Sequence, residues 1–146
     1  MKNEKRTLGM ILAPMMHEMF RALKQRTGAQ TDVKLTIEQF GFLFAISEKN
    51  EEVIQKEMAE ILGKDQSAIL RTVDSLEKKN LIRRVVDPKD RRKNFLMVTK
   101  KGEQVIEQYL KIEFQLNEEL MDGLSPSEIE TFLSVIDHIK NKAMIL

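Results

Sequence analysis

Length, composition and charge set the first limits on this chain. It has 146 residues, enough for one domain with a hydrophobic core; 32% are charged and 42% hydrophobic, which argues against a disordered chain. The absence of cysteine excludes disulfides, thiolate metal sites and thiol-based redox sensing. A reducing compartment is compatible with this composition, and we expect a cytoplasmic protein.

The net charge of +1 hides an uneven distribution of charge. Residues 63–101 hold 12 Lys/Arg and 5 Asp/Glu, a local net charge of +7. The remaining residues hold 12 basic and 18 acidic side chains, a net charge of −6. A basic segment in an otherwise acidic chain indicates a surface for a polyanion, with a solvated charged surface as the alternative.

The chain is predicted to begin with an amphipathic helix from Leu8 to about Gly28. Pro14 would mark its first turn or kink it. Met16, Phe20 and Leu23 form an apolar stripe at helical spacing. The basic start and short apolar run also resemble a signal peptide, but the helix explains more residues. No apolar run reaches the ~18–20 residues that span a bilayer, so we expect no membrane partner.

A second helix is predicted from a capping box at Thr36 and Gln39. It runs to about Glu48, and a charged connector follows at residues 48–52. The predicted buried face of this helix consists of Phe40, Leu43, Phe44 and Ile46.

The next segment is predicted to form two short helices joined by a tight turn. The first is Gln55–Leu62, and Gly63 permits the turn. The second is capped by Asp65 or Ser67 and runs to about Lys79. This order is typical of a helix-turn-helix unit. The residues expected to pack the two helices together are Ala59, Ile69, Val73 and Leu76.

A basic hairpin is predicted to follow. Asn80 tolerates the left-handed backbone that would end the preceding helix. Leu81–Asp87 and Asn94–Thr99 are predicted strands, joined by a turn at Asp87–Asp90. Helix, turn, helix and hairpin in this order predict a winged helix-turn-helix, which can place one helix in a DNA major groove and the hairpin beside it.

Two further amphipathic helices are predicted at the end of the chain. Thr99 would cap one from about Lys101 to Met121, and Ser125, Pro126 and Glu128 would start the other. Dimerisation through the first and last helices explains their apolar faces, and packing within the chain is the alternative. The apolar face of the last helix consists of Ile129, Phe132, Leu133, Ile136, Ile139 and Ala143.

Several short motifs resemble the MarR family of bacterial and archaeal regulators. They are Leu35-Thr-x-x-Gln-Phe40, Lys56-Glu-Met-Ala-Glu-Ile-Leu-Gly63, Val73-Asp-Ser-Leu-Glu-Lys-Lys-Asn-Leu81, and Asp87-Pro-Lys-Asp-Arg-Arg92 followed by Val98-Thr-x-x-Gly102. The resemblance implies a mainly α fold with a small β-hairpin wing, a homodimer and a palindromic operator. It implies one domain over residues 1–146, with dimerisation helices at about 8–34 and 101–146 and a DNA-binding lobe at about 35–100.

Some positions depart from the family pattern. Ile54 stands where the family often has a Thr or Ser cap, so the cap must come from elsewhere. Asn80 replaces a common glycine, which it can mimic. The absence of cysteine argues against the peroxide-sensing branch. Operator sequence cannot be taken from relatives, because Arg and hydroxyl residues are frequent at the positions of Gln66, Ala68 and Leu70.

The residues expected to contact DNA lie at the start of the second helix of the unit and in the wing. Gln66 can pair with adenine, and Arg71 can reach guanine or a phosphate. The resemblance implies that Asp90 orients an arginine that enters the minor groove. Arg83 and Arg84 alternate along their strand, so at most one of them faces DNA. The predicted contacts are Lys64, Gln66, Ser67, Ala68, Arg71, Thr72, Arg84, Lys89, Asp90, Arg91, Arg92 and Lys93.

The resemblance also implies a small phenolic or aromatic effector between the dimer helices and the DNA-binding lobe. Nine methionines make an adaptable lining plausible, and core packing is the alternative role for each lining residue. The lining would be formed by Met15, Met16, His17, Phe20 and Phe44.

Nothing in the sequence indicates catalysis. His17 and His138 lie in different predicted helices, and neither has a second ligand residue at metal spacing. There is no Gly-rich phosphate loop and no nucleophile motif. We therefore expect no enzymatic activity, no metal and no cofactor.

The sequence predicts a sequence-specific DNA-binding transcriptional regulator, as a ligand-responsive homodimeric repressor whose partner is double-stranded DNA. A winged-helix protein-interaction module without a DNA role is the alternative. The two differ in salt dependence, because binding to DNA weakens steeply as salt rises. RNA binding has less support, since the predicted reader lacks exposed aromatic residues for stacking.

Overall fold

The computed structural model describes residues 5–49 and 53–146. The chain divides into two compact units, Met1–Ile112 and Glu113–Leu146. As predicted, it is mainly helical with one small sheet. The elements are α1 (Leu8–Gln30), α2 (Ile37–Ser47), β1 (Val53–Ile54), α3 (Gln55–Leu62), α4 (Gln66–Lys78), β2 (Ile82–Val86), β3 (Asn94–Val98), α5 (Lys100–Met121) and α6 (Pro126–Met144).

Helix α1 begins after Thr7, whose hydroxyl accepts a hydrogen bond from the Met10 N–H. It continues past the predicted end at Gly28. Pro14 lies inside the helix and not in its first turn. Among the described residues of α1, Thr27 alone is buried, so most of its apolar side chains are accessible.

Helix α2 begins at the predicted capping box. The Thr36 hydroxyl accepts from the Gln39 N–H, and the Gln39 side chain accepts from the Thr36 N–H, both at 3.0 Å. The helix ends at Ser47, close to the predicted end. Residues 50–52 of the predicted charged connector lie outside the described residues.

The buried face of α2 differs from the predicted one. Leu43 and Ile46 are buried as expected, but Phe40 and Phe44 are only half-buried. Phe42, which was not predicted, is buried instead. The prediction of the buried face was partly wrong. Helix α2 packs against both β3 and α4, and the sequence of α2 does not show where those neighbours lie.

Tyr109 of α5 fixes the segment that leads into α2. Its ring stacks on Phe40 with centroids 5.1 Å apart. Its hydroxyl donates to the Val33 carbonyl at 2.8 Å and accepts from the Leu35 N–H at 3.0 Å. Because a buried hydroxyl is costly unless it is hydrogen-bonded, these partners hold the two segments together.

Helices α3 and α4 end in the same way. Gly63 and Asn80 both have φ of +61°, and the N–H of the following residue bonds back into the helix, as Leu81 does to the Leu76 carbonyl at 3.0 Å. This arrangement is a Schellman C-cap, so the predicted roles of both residues are confirmed. Ile54, which precedes α3, provides no side-chain cap.

The three strands form an antiparallel sheet with β3 in the centre. Strands β2 and β3 are the predicted hairpin and pair along their full lengths. Strand β1 was not predicted. Its Val53 pairs with Leu96 and its Ile54 with Phe95, so β3 is covered on both edges.

Helix α5 starts in direct contact with the end of α4. The Thr99 hydroxyl accepts from the Gly102 N–H at 3.0 Å and donates to the Asn80 carbonyl at 2.6 Å, which confirms the predicted cap. A Cβ on Gly102 would lie 2.2 Å from the Leu81 carbonyl oxygen. The Thr-x-x-Gly motif therefore has a steric cause, since no larger residue fits this approach.

In the second unit, α6 begins at the predicted capping box of Ser125 and Glu128, with Pro126 as its first residue. None of its described residues is buried. Phe132 and Leu133 are 42% and 52% exposed. Helix α6 therefore presents apolar side chains to solvent.

Candidate nucleic-acid interface

Asp65 holds the start of α4. Its Oδ1 accepts from the Ala68 N–H at 2.7 Å and from the Ser67 hydroxyl at 2.8 Å. These hydrogen bonds, that of Ala68 above all, lower the pKa of Asp65, and the charge of Arg71 adds to the effect. Asp65 is therefore the cap, and Ser67 supports it.

Helix α4 has an apolar face and a polar face. Its Ile69, Val73 and Leu76 are buried, as predicted, and anchor the helix in the core. Gln66 and Arg71 are exposed on the other side. A buried stripe therefore directs two of the predicted base-reading residues to solvent.

Two other predicted contacts of α4 are less accessible than Gln66 and Arg71. Ala68 and Thr72 are half-buried, and the Thr72 hydroxyl donates to the Ala68 carbonyl at 3.1 Å. Leu70 is 43% exposed, which leaves an apolar side chain beside the polar ones. The outer face of α4 can thus make both polar and apolar contacts.

Helix α2 supports α4 and the turn before it. Lys64 Nζ lies 3.2 Å from Glu38 Oε2. Gln39 Nε2 donates to the Ser75 hydroxyl at 2.9 Å. Lys64 is therefore ion-paired in the free protein, and contact with a phosphate would have to replace or share that pair.

The wing is the chain reversal between β2 and β3. The Asp87 N–H bonds to the Lys93 carbonyl at 3.1 Å, and the Lys93 N–H bonds to the Asp90 carbonyl at 3.0 Å. Asp87 Oδ1 accepts from the Lys89 N–H at 2.9 Å. These bonds all lie within residues 87–93 and define the shape of the turn.

Asp90 holds Arg92 at the tip of the wing. Its Oδ1 accepts from the Arg92 N–H at 3.0 Å and from Arg92 Nε at 3.3 Å. The Arg92 side chain is 92% exposed. Lys89, Arg91 and Lys93 are exposed around it. The carboxylate fixes the base of an arginine whose outer end is open to solvent, in keeping with the role that the resemblance implied.

Arg84 is placed differently from the other predicted contacts. Its side chain is only 23% exposed, and it donates to Asp74, to Glu77 at 2.9 Å and to Gln55 at 3.0 Å. Partial burial opposes its charge, but the hydrogen bonds and charges of the two carboxylates outweigh that effect and raise the pKa of Arg84. The neighbouring Arg83 is exposed.

A groove of about 330 Å³ lies between the start of α3, the outer face of α4 and the wing. Its lining includes Gln66 and Leu70 of α4, Arg92 and Lys93 of the wing, and Lys56 of α3. The structure therefore brings the two predicted sets of residues together on one surface. Sequence reasoning missed Lys56 as a groove residue, because only the placement of the wing brings it there.

Comparisons with known proteins agree with this geometry. A sequence model of the MarR family matches residues 32–93. The reduced form of MarR from E. coli is 25% identical, with a TM-score of 0.78 over 94% of this chain and 98% of that one. The regulator BldR from Sulfolobus solfataricus is 29% identical, with a TM-score of 0.71 over 90% and 91%. The repressor CouR bound to a 23-mer DNA duplex is 26% identical, with a TM-score of 0.79 over 92% of both chains.

The chain belongs to the MarR family. This MarR-family protein is a winged-helix transcription factor, with terminal helices that precede and follow the winged lobe in the sequence. The family model ends within the wing, but the structural similarity extends over at least 90% of the chain. The terminal helices are therefore part of the shared fold.

The residues predicted to line an effector site in this MarR-family protein are mostly accessible. Met15, Met16 and Phe20 of α1 are each about 40% exposed, and His17 is exposed as well. Phe44 of α2 is half-buried, and its ring is 6.1 Å from that of Phe40. The groove beside α4 is lined by other residues.

The described residues form neither a metal-binding cluster nor a membrane-spanning helix. Within residues 5–49 and 53–146, no three histidine or carboxylate side chains are grouped as a metal site requires. Among the helices formed by these residues, none combines the length and the apolar character needed to cross a bilayer.

Proposed function

We propose that this MarR-family regulator is a homodimeric, ligand-responsive repressor that binds a palindromic operator and has no catalytic activity. The groove in which the exposed face of α4 meets the wing carries this proposal. Two relatives support it, since a mutant MarR from E. coli is known in complex with operator DNA and CouR with a DNA duplex. In this proposal residues 35–100 bind DNA, and residues 8–34 and 101–146 form the dimer.

Helix α4 reads bases in the major groove. The Gln66 amide can donate to and accept from adenine, and the Arg71 guanidinium can pair with guanine or a phosphate. Ala68 can contact a thymine methyl group. Each of these residues lies in the first two turns of α4, the part of a recognition helix that reaches base edges.

The hydroxyl and amine groups near α4 bind the DNA backbone. Lys64 lies in the turn before the helix, and Ser67 and Thr72 lie on it. In this proposal they contact phosphates along the edges of the DNA major groove. These contacts set the register of the protein on DNA but carry no sequence information.

The wing enters the adjacent minor groove. Arg92, fixed by Asp90, is the residue inserted there, and a narrow A·T-rich groove attracts its guanidinium. Lys89, Arg91 and Lys93 neutralise the flanking phosphates. The basic excess of residues 63–101 fits this role, since binding to a polyanion needs such a local field.

The terminal helices form the dimer, and an aromatic or phenolic effector controls it. Exposed apolar side chains on α1 and on α6 support dimerisation through these helices, because such faces are normally covered in solution. For the effector we propose Met16, His17, Phe20 and Phe44 as ligand-binding residues. Effector binding would change the separation of the two α4 helices from the ~34 Å of one DNA turn and release the operator.

The test begins by selecting bound sequences from random double-stranded DNA. We expect a palindromic consensus, because a symmetric dimer reads two equivalent half-sites. Fluorescence anisotropy with that operator then compares Arg92→Ala with the wild type. We expect roughly tenfold weaker affinity. The salt dependence should also be smaller, because a cation that enters the minor groove displaces counterions from the DNA and Arg92→Ala removes that cation.

Lys111→Ala is the matched control, since Lys111 is an exposed lysine of α5 outside the groove. It should bind the operator as the wild type does. Unchanged affinity of Arg92→Ala would refute the role of the wing. Failure to select any sequence, together with a salt-insensitive protein partner, would instead support the protein-interaction module.

A further inference from the structure

The side chain of Arg84 joins three elements of the winged lobe. It extends from β2 and donates hydrogen bonds to Asp74 and Glu77 of α4 and to Gln55 at the start of α3. Nε, Nη1 and Nη2 each have a protein partner. The cluster of these four residues is named the Arg84 clamp below.

Glu77 binds β2 at a second point as well. One of its carboxylate oxygens accepts from Nη1 of Arg84, and the other accepts from the backbone N–H of Arg84 at 3.0 Å. Strand β2 is an edge of the sheet, so this N–H faces away from β3. One carboxylate of α4 therefore fixes both the backbone and the side chain of the strand that carries the wing.

The Arg84 clamp is suited to hold geometry and poorly suited to bind a phosphate. Two carboxylates lie within ion-pair distance of the guanidinium, and they would repel an approaching anion. A guanidinium has five N–H donors in a rigid planar arrangement, so several simultaneous partners fix its orientation and that of the strand.

We propose that Arg84 is a positioning residue, which sets the angle between the wing and α4 and does not itself contact DNA. The proposal rests on the DNA-binding function proposed above. Operator binding needs α4 in the major groove and Arg92 in the minor groove at the same time. A change in the angle between β2 and α4 would separate the two contacts, because the wing is the direct continuation of β2.

The first test is a double-mutant cycle in operator affinity. Arg84→Met keeps the aliphatic stem but removes the donors, and we expect it to weaken binding about tenfold. In the background of Arg92→Ala the same change should have a clearly smaller effect, because the Arg92 contact is one of those that Arg84 keeps in place. Arg83→Met is the control for charge on the same strand. Equal reductions in affinity in both backgrounds would show direct contact with DNA and overturn the proposal.

A second variant guards against simple unfolding. Glu77→Gln keeps an oxygen that can accept the Arg84 N–H, whereas Glu77→Ala keeps none. We expect Glu77→Gln to recover most of the operator affinity that Glu77→Ala loses, with both proteins folded by circular dichroism. Wild-type affinity in both Glu77 variants and in Arg84→Met would overturn the proposal.

A distance measurement tests the Arg84 clamp without DNA. The chain has no cysteine, so Lys78→Cys on α4 and Lys89→Cys in the wing would be labelled uniquely with nitroxides. Diluting labelled with unlabelled protein keeps one labelled subunit per dimer. We expect Arg84→Met to broaden the distance distribution and Arg83→Met to leave it unchanged. An unchanged distance distribution in Arg84→Met overturns this inference, even if the wild type binds DNA. If the wild type binds no DNA but the distribution does broaden in Arg84→Met, the proposed function is overturned and the positioning of the wing by Arg84 still holds.

Discussion

Gly102 shows how one missing methyl group sets the start of α5. An added Cβ would lie 2.2 Å from the Leu81 carbonyl oxygen and 2.8 Å from a methyl group of Val98. The nearest of these atoms belongs to the backbone, so it cannot move aside cheaply. We expect Gly102→Ala to lower the free energy of unfolding by about 1–3 kcal/mol, measured by urea denaturation.

Gly41 provides the matched control for that substitution. It lies in α2 and is exposed, and an added Cβ would meet no atom within 4 Å apart from its chain neighbours and the backbone of its own helix. Gly41→Ala should therefore raise the free energy of unfolding, by up to about 1 kcal/mol, because alanine is the better helix former. A stable Gly102→Ala protein would show that Leu81 can move and that the close approach is not required.

Arg83 and Arg84 show what a sequence can say about a pair of neighbouring residues. Alternation along a strand predicts that the two side chains lie on opposite faces, and they differ in exposure as expected. It does not tell which face meets α4, because Asp74 and Glu77 belong to another element. The alternation therefore did not decide that Arg84 would face DNA, and the Arg84 clamp supports a positioning role for it instead.

At the scale of one element, the cap of α4 makes the stability of the protein depend on pH. Hydrogen bonds from Ala68 and Ser67 lower the pKa of Asp65 below its ordinary value of 3.8. A carboxyl group whose pKa is lower in the folded state stabilises the fold above its unfolded pKa. That contribution is lost as the pH falls from about 3.8 through the lower, folded value.

Comparing Asp65→Asn with the wild type tests this dependence. An asparagine oxygen can still accept the Ala68 N–H, but it carries no charge and does not titrate. We expect the wild type to be the more stable protein at about pH 7, and the difference to shrink at about pH 3. Urea denaturation at several pH values measures it. A difference that stays constant with pH would contradict a charged cap.

The elements differ in how well they could be predicted from the sequence. The starts of α2, α5 and α6 were predicted because their capping signals are local, as with Ser125 and Glu128. Strand β1 was not predicted, because two residues carry no periodicity and their pairing with β3 is distant in sequence. The buried face of α2 was partly wrong for the same reason, since the burial of Phe42 depends on neighbours elsewhere in the chain.

For the molecule as a whole, the proposed dimer rests on exposed apolar side chains. Leu133 of α6 is 52% exposed and lies on the predicted apolar face. We expect Leu133→Glu to favour the monomer, because a buried charge without a partner destabilises an interface. Sedimentation equilibrium measures the change in dimer dissociation, and it should show the wild type as a dimer.

Ser134→Glu is the control for that experiment. Ser134 is an exposed polar neighbour on α6 outside the predicted stripe, so this change should leave the dimer intact. A wild-type monomer would refute the proposed homodimer. A dimer that survives Leu133→Glu unchanged would exclude this face of α6 from the interface.

The Leu81 carbonyl limits how this chain can change in length. It accepts the Thr99 N–H and lies against Gly102, so the end of α4, the end of β3 and the start of α5 meet at one peptide group. Three residues connect α4 to β2, and Thr99 alone connects β3 to α5. An insertion in either connection would disrupt the contacts of Thr99 and Gly102 with the Leu81 carbonyl. Residues 87–93 are held by hydrogen bonds within their own turn, so the wing is where extra residues can be accommodated and where related proteins can differ in reach.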